Sequence, residues 1–214
     1  MRRAALSVLV VTALLMAAAA NAGLLRPEQK QLRAADNALA KRTVVRASDL
    51  ASGWARKPSS KSSEPKLDCP GVDLDFSRFT ITGTAQSTFT LAGAAIESSV
   101  EVYESRRDAA GDFRKGSSSA ALGCYARELD KEARKDGRSQ VVAARSLGKR
   151  RVGDEAMAYR ILLSFKTARG PMPVYLDLVA VRRGRTLVTL AFTAARAPIK
   201  GQVALARAVA ARAR

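Results

Sequence analysis

Between residues 80 and 91 the chain alternates. Ile81, Ala85, Phe89 and Leu91 are apolar, while Thr80, Thr82, Thr84, Gln86, Thr88 and Thr90 are polar. A helix would scatter such a period-two pattern around its axis; a strand sorts it onto the two sides of a half-buried sheet. After Ala92-Gly93 the alternation resumes, with Ile96, Val100 and Val102 on one side and Glu97, Ser99, Glu101 and Tyr103 on the other. Two alternating segments joined by a Gly-containing turn predict a hairpin, with the Thr ladder opposite the acidic side of its partner.

The remaining segments fit around that hairpin. Residues 106–136 switch to helical period, broken at 116–119 (Gly-Ser-Ser-Ser), and Leu122, Tyr125 and Leu129 share the inner side of the second helix. Asp136-Gly137 stops it. Strands follow at about 140–147, 157–168, 172–182 and 186–194, the last two joined through Arg183-Gly184, and Pro198 opens a final helix. Short connections between strands imply antiparallel pairing. The expected fold is α+β: an antiparallel β-sheet of about six strands with helices packed on it, as a single domain over 43–214. Residues 23–42 read as a helical arm or linker, with Leu32, Ala35 and Leu39 on one thin stripe.

Residues 1–22 have the make-up of a secretory signal peptide. Arg2 and Arg3 precede an apolar run from Ala4 to Ala20, and Ala20-Asn21-Ala22 is a small-x-small cleavage site. An uncleaved anchor is the competing reading, for which the Ala-rich run is short and weakly apolar. Export places the chain in a secreted or extracytoplasmic, envelope-associated setting and gives its two cysteines a role. Cys69 and Cys124 lie outside the signal, lack CxxC spacing and have no histidine near them, so one structural disulfide is expected.

The chain contains no histidine at all. That removes Ser-His-Asp and Cys-His catalysis, histidine metal ligands and an imidazole base. No phosphate-binding glycine loop and no GxSxG elbow is present. Glu97 and Glu101 face the same side of one strand but stand about 13 Å apart at strand rise, too far for a glycosidase pair on their own. No catalytic residue, cofactor or metal is expected, and the chain reads as a non-enzymatic binding or sensor-like module.

Two features carry a functional reading. The first is the polar sheet side, where Thr84, Thr88, Glu97, Glu101 and Arg160, with Trp54 and Tyr103 as rim aromatics, outline a candidate cleft for a small polar ligand. Its alternatives are a solvated outer face and, for Trp54, a core plug. The second is charge: 37 Lys+Arg stand against 19 Asp+Glu, a net +18, and no acidic residue follows Asp177. Arg196, Lys200, Arg207, Arg212 and Arg214 form a candidate basic patch. Lys200, Arg207 and Arg214 are spaced by seven, so they would align on one flank of the last helix. Such a patch suits an anionic envelope polymer or peripheral contact with a membrane surface. Its bland alternative is solubility alone. Nucleic acid is not an expected partner, because export argues against it and 5% aromatic residues offer few stacking platforms.

Several pieces together resemble a known family. They are Ser48-Asp49-Leu50 leading to Gly53-Trp54, the following Cys69, the hairpin, the helix bearing Cys124, Val152-Gly153-Asp154-Glu155-Ala156, and Val181-Arg182-Arg183-Gly184-Arg185. Over about residues 43–212 the chain resembles the extracellular sensor-like domains of actinobacterial secreted proteins and lipoproteins. The PknH-type receptor kinases carry the best-known example, and the PsbP/Mog1-like architecture suits the same strand order. The resemblance implies an antiparallel sheet with helices beside a ligand cleft and a binding or sensing role. The chain departs from the kinase domains in having one candidate disulfide rather than two, and no kinase or membrane span.

Overall fold

The computed structural model describes residues 29–58 and 69–214. The signal segment, the first residues of the arm and most of the Ser/Pro/Lys-rich stretch before Cys69 lie outside the described residues. The elements are β1 (Gln29–Lys30), α1 (Ala34–Thr43), β2 (Ala55–Lys57), β3 (Thr80–Leu91), β4 (Ala94–Tyr103), α2 (Arg106–Gly116), α3 (Ser119–Ala133), β5 (Ser139–Lys149), β6 (Glu155–Thr167), β7 (Gly170–Arg183), β8 (Thr186–Ala195) and α4 (Gln202–Ala211).

All eight strands join one sheet in the order β1-β3-β4-β8-β7-β6-β5, with β2 also paired to β3. The six long strands are antiparallel: short turns join β3 to β4 and β5 through β8 in succession, and β4 pairs with β8 across the two halves. The sheet is larger than the expected six strands, and mixed, because two short pieces add to the β3 edge. β1 pairs parallel, Gln29 opposite Thr80, and β2 antiparallel, Arg56 opposite Phe89. Neither piece is long enough to show a period of its own.

Helices cover both sides of the sheet. On one side α2 and α3 pack over β6, β7 and β8, with Leu122, Tyr125, Ala126 and Leu129 of α3 against Tyr159, Ile161, Leu163, Leu176 and Leu178. Ala109 and Phe113 of α2 pack with Phe76, Phe79, Ile81 and Tyr103. Serine caps start both helices: the Ser105 hydroxyl accepts from Asp108 N and the Ser118 hydroxyl from Ala121 N, each at 3.1 Å. On the other side α1, the segment through Val45 and α4 pack over Phe89, Ile96, Val100, Val179, Leu190 and Phe192. Leu39 and Ala40 of α1 are buried there, whereas Leu32, from the same thin stripe, is exposed.

One local departure governs the register. Between Ile81 and Gly83 the β3–β4 pairing shifts, so that Ile81 opposes Tyr103 and Gly83 opposes Val102. This bulge turns Ile81 to the α2–α3 side, away from Ala85 and Phe89, with which simple alternation had grouped it. It also brings Gly83 under α1, where a Cβ would stand 2.3 Å from the Asp36 carbonyl carbon. Only glycine lets the helix backbone rest on the strand at this point. Arg185 secures the same junction: its Nη1 donates to Asp36 Oδ2 at 2.9 Å and to Tyr103 O at 3.1 Å. The hydrogen bond from Arg185 is the main cause holding Asp36 below the usual carboxylate range.

Candidate functional site

The hairpin register holds along the polar rows. Thr88 opposes Glu97 and Thr84 opposes Glu101 on β4, and β8 extends each row, with Ala191 beside Glu97 and Leu187 beside Glu101. Between them runs Gln86–Ser99–Thr189. Directly opposed residues of antiparallel strands share a side, so these rows form one floor, polar except at Ala191 and Leu187. Thr84, Gln86, Thr88, Ser99 and Thr189 are half-buried.

This polar side is not the solvated outer face that alternation alone suggests. Glu97 is 7% exposed and Glu101 5%, and Tyr103 is fully buried, because α2 and α3 lie over the same side of the sheet. The Tyr103 hydroxyl contacts Glu101 Oε2 at 3.0 Å and Asp112 Oδ2, on α2, at 2.6 Å. Tyr103 is therefore a buried link between two carboxyl groups rather than a rim aromatic.

Glu97 lies two rows along β4 from Glu101. Among the described residues its Oε2 has no hydrogen-bond partner. Burial pushes its pKa up to about 8. Tyr125 of α3 feels it: burial first, and then the charge of Glu97, push the Tyr125 hydroxyl up. A neutral, desolvated carboxylic acid therefore stands in a floor of hydroxyl groups at neutral pH.

The structure separates other residues from this floor. Arg160 opposes Asp177, which opposes Phe192, on the α1–α4 side of the sheet. There Arg160 Nε and Nη2 donate to the two Asp177 oxygens at 2.6 and 2.8 Å, and Gln202 of α4 donates to Asp177 Oδ2 at 2.6 Å. The strand's alternation was correct, but position 160 falls on the opposite side from Glu97. Trp54 likewise packs, partly buried, against the α1–α4 core with Leu50, Ala85 and Leu205. Thr84, Thr88, Glu97 and Glu101 thus share one floor, Tyr103 lies buried beside it, and Arg160 and Trp54 belong elsewhere.

The basic patch also divides. Arg212 is not a surface charge: it donates to Asp49 Oδ1 at 2.9 Å, to Oδ2 at 2.8 Å and to Val44 O at 2.9 Å, pinning the end of α4 to the segment after α1. Burial works against the Asp49 charge, but the Arg212 hydrogen bond and the Arg46 backbone N–H hold that carboxyl below its usual range. Breaking a largely buried pair leaves the other charge uncompensated, so Arg212→Ala should cost about 3 kcal/mol. Urea denaturation checks this, and an unchanged midpoint would count against the clamp. Arg196, Lys200, Arg207 and Arg214 are exposed. The expected seven-residue flank does not form, because α4 begins only at Gln202 and ends at Ala211, leaving Lys200 before it and Arg214 beyond it.

The expected disulfide is present between Cys69 and Cys124, with their Cα atoms 5.7 Å apart. It ties the chain before β3 to α3 at the residue next to Tyr125. Tyr125, Ser99, Gln86 and Thr189 complete the surroundings of Glu97, while Asp112 stands by Glu101 through Tyr103. Tyr125 was legible as an inner helical residue, but only the helix-on-sheet packing brings it to Glu97. Among the described residues no group of three or more Cys, Asp or Glu stands close enough to hold a metal ion, and no helix is long and apolar enough to cross a membrane.

No family model and no curated protein matches the chain. Among solved structures, the chain is similar to the extracellular domain of PknH from Mycobacterium tuberculosis, at 10% identity over 86% of this chain and 95% of that one, with a TM-score of 0.44. It is also similar to a putative uncharacterized protein (Rv0999 ortholog) from Mycobacterium smegmatis, at 9% identity over 81% and 82% of the two chains, TM-score 0.38. A third is LpqN of Mycobacterium tuberculosis, involved in cell envelope biogenesis, at 13% identity over 75% and 76%, TM-score 0.30. The PknH extracellular domain, of the type the sequence weakly resembles, is thus among the solved structures to which the chain is similar at low identity.

Proposed function

We propose that this protein is an exported, non-enzymatic binding module of the cell envelope that takes a small polar ligand on the floor formed by β3, β4 and β8. The carrying observation is Glu97: a buried carboxyl whose Oε2 has no partner among the described residues, set among half-buried hydroxyl and amide side chains. Buried polar groups are normally satisfied within the fold, and those that are not recur where a ligand completes them. The disulfide supports an oxidising compartment, in keeping with the signal-like N-terminal segment. No step of chemistry is assigned: Glu97 and Glu101 are too far apart along β4 to act as an acid–base pair.

Native mass spectrometry of the mature protein, purified from cells that export it, tests the reading. A discrete added mass that denaturation releases, and that Glu97→Gln with Thr88→Val removes, is the expected result. A bare chain that also fails to bind any polar small molecule in solution would overturn it.

A second reading rests on the exposed cations Arg196, Lys200 and Arg207, which would hold the protein on an anionic envelope polymer or a membrane surface. Salt separates the two. Surface attraction weakens steeply by a few tenths molar salt, where the Debye length falls to about 5 Å, whereas binding at a largely buried floor changes little.

A further inference from the structure

Resting on the binding reading, we propose that the ligand of the β3–β4–β8 floor carries a protonated amine, with Glu97 as its counter-charge and the neighbouring hydroxyl groups as its polar frame. The site is built on three strands in fixed register, so its groups are held in place before a ligand arrives. Thr88 lies directly opposite Glu97, and Ser99 and Gln86 form the next row. Rows on one side of a strand repeat at about 7 Å, a spacing suited to the hydroxyl groups of a small polyol or amino alcohol.

The case for a cation comes from what faces Glu97. Its register neighbours are Thr88 and Ala191, neither of which carries a charge. Tyr125 faces it from α3. Glu101 lies two rows along β4, and Asp112 of α2 lies beyond it through Tyr103. The cation nearest in register is Lys57 of β2, opposite Thr88 and exposed, two strand spacings or about 10 Å from Glu97 across the sheet. Among the described residues, the register neighbours of Glu97 and the groups facing it are thus acidic or neutral, although the chain as a whole carries +18. Once Glu97 is ionised, an anionic ligand would be repelled, and an uncharged one would leave the carboxylate without a counter-charge. A divalent metal needs several oxygen ligands at once, and no such group stands here among the described residues. A monovalent ammonium, which one carboxylate can neutralise, fits this arrangement.

Binding then follows a simple proton balance. The free site holds Glu97 as the neutral acid; the ammonium binds the carboxylate, and the carboxyl proton leaves to solvent. With the free carboxyl titrating at about 8, affinity for an amine should rise close to tenfold per pH unit below about pH 7 and level off above pH 8.

The test uses the mature, disulfide-bonded protein and two isosteric pairs that differ by one ammonium for one hydroxyl: glucamine against sorbitol, and ethanolamine against ethylene glycol. Both amines stay protonated across the range used. Binding is followed by NMR at several pH values. The expected result is that at least one amine binds about tenfold or more tightly than its hydroxyl partner and shows the pH slope. Glu97→Gln should erase both the preference and the slope. If that variant fails to fold, the wild-type comparison decides alone. Amine and hydroxyl members binding alike, or an amine with no pH slope, would overturn the ammonium and leave the polar-ligand reading standing. No amine binding at all would also overturn it. If the exported protein then also arrives without a bound mass, the binding reading falls too.

Discussion

Glu97→Gln should abolish a fall in stability that the unmodified protein shows between about pH 5 and pH 8. In the folded chain the Glu97 carboxyl titrates at about 8, because burial disfavours its charge, against an ordinary 4.5. Between those values the folded state keeps a proton that the unfolded state has lost. Stability therefore declines as pH rises through this window, by about 1.4 kcal/mol per unit and by a few kcal/mol in all. Below the window the group contributes nothing, and above it the penalty is complete. The chain has no histidine to titrate in this range, and Asp36, Asp49 and Asp130 are held below the usual carboxylate range by their partners. The neutral Gln amide carries its own cost in a buried site, about 1–3 kcal/mol if unsatisfied. The variant should thus be no more stable than the parent at pH 5 and clearly more stable at pH 8. Urea unfolding of both proteins across that range measures it. Parallel stability curves would show that Glu97 is solvated.

The second large effect belongs to the disulfide. Cys69 and Cys124 are 55 residues apart, and a cross-link closing a loop of that length is worth about 4 kcal/mol in the chain-entropy account. For a domain of ordinary stability, about 5–15 kcal/mol, that is a large share. The bond also holds α3, whose inner side covers the sheet beside Glu97. Replacing both cysteines by serine, or unfolding with and without reductant, should lower the denaturation midpoint strongly. The protein made in a reducing cytoplasm should be correspondingly prone to proteolysis. A midpoint indifferent to reductant would mean that the unfolded chain is not being restrained by this link.

The strands were legible because each carries its own short-range signal. Alternation and turn glycines located β3, β4 and the β7–β8 hairpin to within a residue or three, and the Gly-Ser-Ser-Ser break separated α2 from α3 where Ser118 caps the second helix. What stayed hidden depends on residues far apart in the chain. Alternation says that Glu97 and Val100 face opposite ways; it cannot say that a helix will lie over the polar side as well as the apolar one. The bulge at Ile81–Gly83 is invisible in composition, since a Gly within a Thr-rich run has no preferred register until Asp36 arrives above it. Arg212 reads as one more surface cation until Asp49, from the other end of the chain, is placed against it. Arg160 shows how a period can be right and a grouping wrong: its side of β6 was set by pairing to β7, which no local pattern reports.

The order of the strands has a consequence for how the chain reaches this state. Ala94–Val102 of β4 pair with Thr186–Ala194 of β8, so the two halves of the sheet meet along strands about ninety residues apart in sequence. Until β8 is available, the β3–β4 hairpin is an unsupported ribbon, and such an isolated pair is marginal in water at best. A chain delivered N-terminus first, from a ribosome or through a narrow translocation channel, therefore cannot complete its sheet prematurely. Closure waits for β8, which begins only at Thr186 of the 214-residue chain, and sheets that depend on such distant pairings form slowly. The late strand acts as a latch: the sheet is committed to its final shape only once residues 186–195 can dock beside β4.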